Sequence, residues 1–330
     1  MVAYTGIQGQ NILITASDPS NPTEGQIWYN STSNLLKGYA NVVTNAWASG
    51  GNLIRAGYYM STTGSQTAAL GFGRSSSATE LYNGTSWTDS PATMNTIRYH
   101  TGAGGTQTAT IGFGGGNETA TKASESFNGT SWTSTNPLVN FRVYSQGFGL
   151  QTAALCIQGG TNIPYDAYLT NITESWNGTS WTNVPGGNTT APSTSNSQCC
   201  GTQTAGIIAG GNDSYPGPGG GTTQLWNGSV WTNSPSSLNT ARALAGAFGT
   251  QTSAIVAAGT DGPSFPTASE SWNGTSWTST PSIATGRQGV GSAGTQSSGL
   301  ITGGYAAPGT SSLTEEWTGT QLLVRTITVS

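Results

Sequence analysis

Five glutamates, Glu80, Glu125, Glu174, Glu270 and Glu315, recur at a nearly constant interval, and four arginines, Arg98, Arg142, Arg242 and Arg287, recur with them. Two carboxylates flanking one bond are the apparatus of glycoside hydrolysis, one as acid and the other as base or nucleophile. An active site, however, needs a few residues in one place, and these are spread along the chain at a fixed period. The periodic reading is therefore structural: each Glu pairs with an Arg of its own or the next repeat, as a ring of ion pairs. Copper-dependent oxidation needs several histidines, and the chain has only His100. A sialidase-like arginine cluster is equally absent, because the arginines come about once per repeat. Cys156, Cys199 and Cys200 are odd in number with two adjacent, which makes no disulfide framework. Cys156 sits in an apolar run and reads as a small buried hydrophobe; a bridge from it to one of the other two is the alternative. The expectation is a non-enzyme with no catalytic residue, no metal and no cofactor.

Two alternating devices must position these residues. The first holds an Asn-Gly pair (Asn83-Gly84, Asn128-Gly129, Asn177-Gly178, Asn227-Gly228, Asn273-Gly274), which predicts a type I′ hairpin turn with both residues at positive φ. An aromatic precedes each pair, and Trp87, Trp132, Trp181, Trp231 or Trp277 follows it, placed to meet that aromatic across the hairpin. The second reads Gly-Thr-Gln-Thr, or a close variant, followed by a small apolar run and Gly-Gly or its remnant. Together they give four strands per unit, and the Glu or Gln at positions 80, 125, 174, 224, 270 and 315 sets a period of about 45 to 50 residues, the range of propeller blades. Such blades must stack to cover their faces, with small residues toward the axis and tryptophans outside. The expected fold is all-β: a six-bladed propeller of four-stranded antiparallel blades over residues 51–330, preceded by an N-terminal β-rich arm over residues 1–50. Matching counts of inner and outer hairpins predict that residues 321–329 supply the last outer strand. The alternative is that residues 35–47, an aromatic-turn-Trp stretch, latch the ring or form part of a seventh blade.

The Gly-Gly after a small apolar strand, the later Trp and the Arg opening the next unit resemble the kelch motif. The near-verbatim Glu-Ser-Trp-Asn-Gly-Thr-Ser-Trp-Thr and Gly-Thr-Gln-Thr-Ala wording is similar to that of kelch-like repeat proteins of marine bacteriophages. The likeness covers roughly residues 50–322 and departs from longer-known kelch proteins in its low charge and in the lost Gly-Gly of the first and fifth units (Gly71-Phe-Gly73, Ala258-Gly259). Residues 25–39, Gly-Gln-Ile-Trp-Tyr-Asn onward, resemble a short module near the starts of phage fibre and other virion proteins. The resemblance implies a propeller carried on a virion; it is specific for the fold, since kelch propellers in general serve as enzymes, binding modules and structural parts alike.

Charged residues make up 7% of the chain and the net charge is −4, with nine basic residues spread thinly. No basic patch stands ready for phosphates, so nucleic acid is not an expected partner, and no apolar run reaches the roughly 20 residues of a membrane helix. The start lacks the pattern of a secretory signal, which points to release in a particle or by lysis. The Asn-x-Ser/Thr sequons coincide with the turns and read as turn chemistry. In a four-stranded meander the uniform Gln and Asn-Gly turns share one face, and the connections of variable length share the other. Recognition sits on such loops, and theirs carry Tyr165, Asp166, Tyr168, Asp213, Tyr215, Asp261, Phe265 and Tyr305, aromatic platforms and carboxylates suited to sugars. The plainer alternative is that these rings pin their own loops. The functional expectation is a virion structural or appendage protein, a fibre, decoration or tail-associated part, attached through residues 1–50 or the uniform face and binding host glycan or protein through the loop face, with a homo-oligomer as one option. A free-standing secreted lectin-like propeller is the alternative, and a glycan-active enzyme comes third.

Overall fold

The computed structural model describes residues 12–42, 44–74, 76–117, 119–161, 169–187, 189, 196–212 and 219–327. The chain divides into two compact units, residues 46–318 and a smaller one joining residues 1–45 to 319–330, so the boundaries fall at 46 and 318 instead of at 50 and the C-terminus.

In the larger unit the described residues form six four-stranded antiparallel sheets. Blade 1 runs Ser61–Ser65, Ala68–Phe72, Ala78–Tyr82 and Trp87–Thr93, and blades 2 to 5 repeat this order. The first strand of each blade lies beside the first strand of the next, and Gly291–Thr295 of blade 6 returns to Ser61–Ser65. The ring is thus a closed β-propeller. The strand before each Gln turn, rich in Gly, Ala and Ser, lines the axis, and the apolar run after it is the second strand, buried between blades. Leu70 and Phe72 of blade 1, for example, pack on Phe127 and Trp132 of blade 2.

The last blade closes differently from the expectation that residues 321–329 supply its outer strand. Ala46–Ser49 pairs antiparallel with Thr314–Thr318 in the register Trp317 to Trp47, so the latch is the strand around Trp47, while Leu35–Val42 of the 35–47 stretch belongs to the small unit. The reason is aromatic. Trp47 and Trp317 stand 5.4 Å apart, nearly repeating the 5.2 Å of Trp272 and Trp277 in blade 5, and Trp47 also meets Phe248 edge-on. The C-terminal strand Gln321–Thr326 has no ring to offer there. It pairs instead with Leu35–Val42 in the small unit, whose sheet order is Leu13–Thr15, Ile27–Asn30, Leu35–Val42, Gln321–Thr326. A hairpin turning at residues 31–34 joins Ile27–Asn30 to Leu35–Val42. It buries Trp28, whose indole donates to Asp18, as do Asn30 and Lys37; these bonds, Lys37 first, bring the Asp18 carboxyl down to about 2.

The outer turns also differ from the type I′ expectation. Tyr82 pairs with Trp87 across a four-residue loop in which Gly84 has φ +88° while Asn83 is not at positive φ. The Asn83 side-chain oxygen accepts the backbone N–H groups of Thr85 and Ser86, and Asn128, Asn177, Asn227 and Asn273 do the same. An Asx-type cap fixes the loop with one left-handed residue in place of two.

Blades are joined by the turn glutamines and the tryptophan indoles. Gln107 donates to the Ala69 and Tyr82 carbonyls of blade 1, and Gln151, Gln203, Gln251 and Gln296 each reach the preceding blade in the same way. Gln66 reaches the Trp317 carbonyl at 3.0 Å and completes the circle. On the rim, the indoles of Trp87, Trp132, Trp181, Trp231 and Trp277 each donate to a Ser or Thr hydroxyl just before the Glu or Gln of the preceding blade.

Candidate functional site

The periodic carboxylates are engaged in structure. Arg98–Glu125 and Arg142–Glu174 stand at 3.1 Å, Arg242–Glu270 at 2.6 Å and Arg287–Glu315 at 2.5 Å, with all four Arg side chains 0% exposed. Every pair lies within one blade, so the option of a bond to the next blade is not taken. The Glu carboxylate also accepts backbone N–H groups of the connection entering its blade, as Glu174 does from Val139 and Asn140. Burial lowers the guanidinium pKa of Arg98 to about 10 against the support of Glu125, and Arg242 and Arg287 are lowered by the same cause. Blade 1 shows how tightly this unit is specified. Arg55, which precedes blade 1 at nearly the repeat's distance, is 45% exposed and bound to Asp89, with its guanidinium 3.9 Å from Glu80. Gly57 occupies the repeat's arginine position, nine residues before Gln66, and the guanidinium comes from Arg74 across the blade, 2.8 Å from Glu80. Arg74 stands where the other blades have the second Gly of Gly-Gly, and a side chain on Gly57 would press on it at 3.1 Å. Blade 4 drops both partners, with Gln224 in place of Glu and Thr194 in place of Arg; Thr194 lies outside the described residues.

Around the axis, at the ends of the first strands far from the Gln turns, lies a second repeated feature. The residue seven positions before each turn glutamine, Tyr59, His100, Tyr144, Asn196, Leu244 and Gly289, has φ between 55° and 66°. Left-handed backbone at five side-chain-bearing residues costs about 1 kcal/mol or more at each, and at four of the six positions a hydrogen bond to the preceding collar residue supports it: the N–H of Tyr59 donates to the Gly289 carbonyl, His100 to Tyr59, Leu244 to Asn196 and Gly289 to Leu244. The backbone here circles the axis as a collar. His100 is 7% exposed, and burial holds its imidazole pKa well below the ordinary value, so it is neutral at pH 7. It stacks on Tyr59 with centroids 3.7 Å apart and meets the edge of Tyr144 at 4.0 Å.

Of the eight expected loop residues, Tyr165, Asp166, Tyr168, Asp213 and Tyr215 lie outside the described residues. Asp261 turns back on its own loop, accepting the Ser264 N–H and hydroxyl, which is the plainer alternative for that residue. Phe265 and Tyr305 do come together, edge to face at 5.8 Å across two blades. Tyr305 is set by a two-way backbone pairing with Gln288, the residue before collar Gly289. From Tyr305 the rings continue to Tyr58 at 6.2 Å and from Tyr58 to Tyr59 at 4.5 Å. The result is one arc, Phe265, Tyr305, Tyr58, Tyr59, His100, Tyr144, from the blade 5 loop to the blade 3 collar. Tyr58 is the most open of these rings at 41% exposure. Sequence reading missed Tyr58, Tyr59, His100 and Tyr144 as site residues, although their fixed offset from the turn glutamine was available.

The thiols are set against nucleophilic chemistry. All three are free, and burial pushes Cys156 and Cys200 up to about 12 and Cys199 higher still. Among the described residues, no group of three or more His, Cys, Asp or Glu is placed to hold a metal ion.

No protein-family model matches the chain, and no curated protein matches it in sequence. Among solved structures, the chain resembles YjhT of E. coli, a kelch-repeat β-propeller, with a TM-score of 0.66 and 13% identity, over 84% of this chain and 99% of that one. At that identity the likeness extends to the fold: the chain is all-β, with repeated four-stranded antiparallel sheets of the kelch-propeller type.

Proposed function

We propose that the protein is a non-catalytic recognition propeller, carried on a virion as an appendage or decoration, whose loop face binds host-surface glycan by stacking sugar rings on the aromatic arc. The observation that carries the recognition reading is the arc itself. Consecutive rings from four loops and collar positions, one of them well exposed, gather on the face with variable loops, while the opposite face repeats the same capped turns. Aromatic faces stack on the apolar side of pyranose rings and leave their hydroxyls for polar neighbours. The absence of catalysis is supported by the use of all five periodic glutamates as blade braces. The virion setting rests on the resemblance of the repeats and of residues 25–39 to phage proteins, with the small unit as the attachment element.

The test is binding of the full-length protein to a glycan array, with Tyr58→Ala and Tyr305→Ala as variants. Both should fold with little change in Tm and lose roughly three- to tenfold in affinity, as expected for loss of a stacking contact worth about 0.5–1.5 kcal/mol. A passive decoration would bind no glycan, or bind equally well in both variants.

A further inference from the structure

The outer strands of blades 1 to 5 are each fastened to the preceding blade of the ring by an indole, and that of blade 6 is not. Trp87, Trp132, Trp181, Trp231 and Trp277 donate to the hydroxyl standing just before the Glu or Gln of that preceding blade. By the same rule Trp47, in the outer strand of blade 6, belongs on Ser269 of blade 5, the residue before Glu270. The bond is missing at both ends: among the described residues, the Trp47 indole nitrogen and the Ser269 hydroxyl are each buried with no hydrogen-bond partner. The Trp47 ring is also turned. It is tilted 50° to Trp317, against 38–42° for the Trp pairs of blades 3 to 5, and it is only partly buried where the other five outer tryptophans are 3–6% exposed. A buried donor and acceptor left unpaired penalise the strand whose seating buries them, so Ala46–Ser49 is the least secured outer strand of the ring.

This strand is also where the chain passes between the two units. Residues 43–45 lead into it from the small unit, and residues 319–320 lead from its partner Thr314–Thr318 back to the small unit. Within the small unit the same two segments are held together again, by the pairing of Leu35–Val42 with Gln321–Thr326 and by the Thr44 hydroxyl, which donates to the Gly319 carbonyl at 2.6 Å. On the far side of the strand, the Gly50 N–H donates to the Thr314 carbonyl at 2.9 Å. A strand held at both ends pays little entropy to find its place again.

We infer that blade 6 is a built-in opening point of the propeller: Ala46–Ser49 leaves Thr314–Thr318 while the other outer strands stay seated, uncovers the Trp317 ring and the edge contact with Phe248, and re-seats because its two ends remain held. The small unit, joined directly to both strands of this pair, is placed to govern the opening.

The experiment is native hydrogen exchange followed by mass spectrometry on the full-length protein, as wild type, Ser269→Ala and Thr223→Ala. The hydrogen-bonded amides of Ala46–Ser49 should exchange at least about tenfold faster than those of Trp277–Thr280, the effect of one missing buried hydrogen bond. Thr223→Ala removes the acceptor of the Trp277 indole and should speed exchange in Trp277–Thr280 at least about fivefold. Ser269→Ala removes only an unpaired hydroxyl and should leave Ala46–Ser49 unchanged. Equal protection of the two strands in the wild type overturns the inference. So does faster exchange of Ala46–Ser49 in Ser269→Ala, which would show Trp47 bonded to Ser269 like its five counterparts. The isotope envelope of the latch should shift gradually, the mark of a strand that re-seats faster than its amides exchange; separate open and closed envelopes would overturn the tether.

Discussion

His100 is the one histidine of the chain and stands neutral in the collar, so its proton reports directly on folding. Its folded pKa lies well below the ordinary value of 6.5, so the unfolded chain binds a proton first. Stability present at pH 7 is therefore lost as pH falls below 6.5. Between pH 7 and 5.5 the loss should be about 1 kcal/mol in urea melts, and His100→Asn, which copies Asn196 of blade 4, should flatten the slope. An unchanged slope would place the titration elsewhere. The buried Arg–Glu pairs make a second test at this scale. Arg242→Met strands the Glu270 carboxylate and should cost about 3–5 kcal/mol, whereas Arg242→Thr with Glu270→Gln reproduces the composition of blade 4 and should recover most of it. A double variant no better than the single would show that the pair contributes more than charge compensation. The periodicity of Glu and Arg made their structural role legible in the sequence. Arg55 precedes blade 1 at nearly the right distance, but counting from Gln66 puts Gly57 at the repeat's position, and only three-dimensional proximity reveals Arg74 as the main partner of Glu80. The collar was hidden for a different reason. Its six residues share a backbone conformation and no side-chain type.

At the scale of strands and turns, the repeat wording carries the four strands of a blade, their order, and the aromatic pair across each outer hairpin. The turn type was misread because Asn-Gly alone favours two positive-φ residues, while the Asn side chain, capping Thr and Ser N–H groups, fixes a longer loop with Gly alone left-handed. Counting hairpins points to the C-terminus as the latch and is overturned, because both chain ends bring a strand and the packing of Trp47 between Trp317 and Phe248 selects the N-terminal one. Closure also depends on Gln66, which bonds blade 1 to blade 6. Gln66→Leu leaves the Trp317 carbonyl without this donor and should lower stability by about 1–3 kcal/mol. An unchanged denaturation midpoint would show that the Ala46–Ser49 strand closes the ring unaided.

For the whole molecule, the two units predict where the chain tolerates truncation. A protein of residues 46–318 keeps the latch and should give a cooperative melt and a monodisperse species. Residues 51–318 lack Trp47, uncover Trp317 and should melt lower or aggregate. Equal stability of the two would remove the latch from the account. The central claim is that a rigid ring presents one aromatic arc for sugars, and the most direct measurement is a crystal structure of the full-length protein with the tightest-binding oligosaccharide of the array. The account predicts a pyranose ring stacked on Tyr58 or Tyr305. Sugar bound on the face of the Asn-Gly turns, or on the small unit with the arc empty, would contradict it.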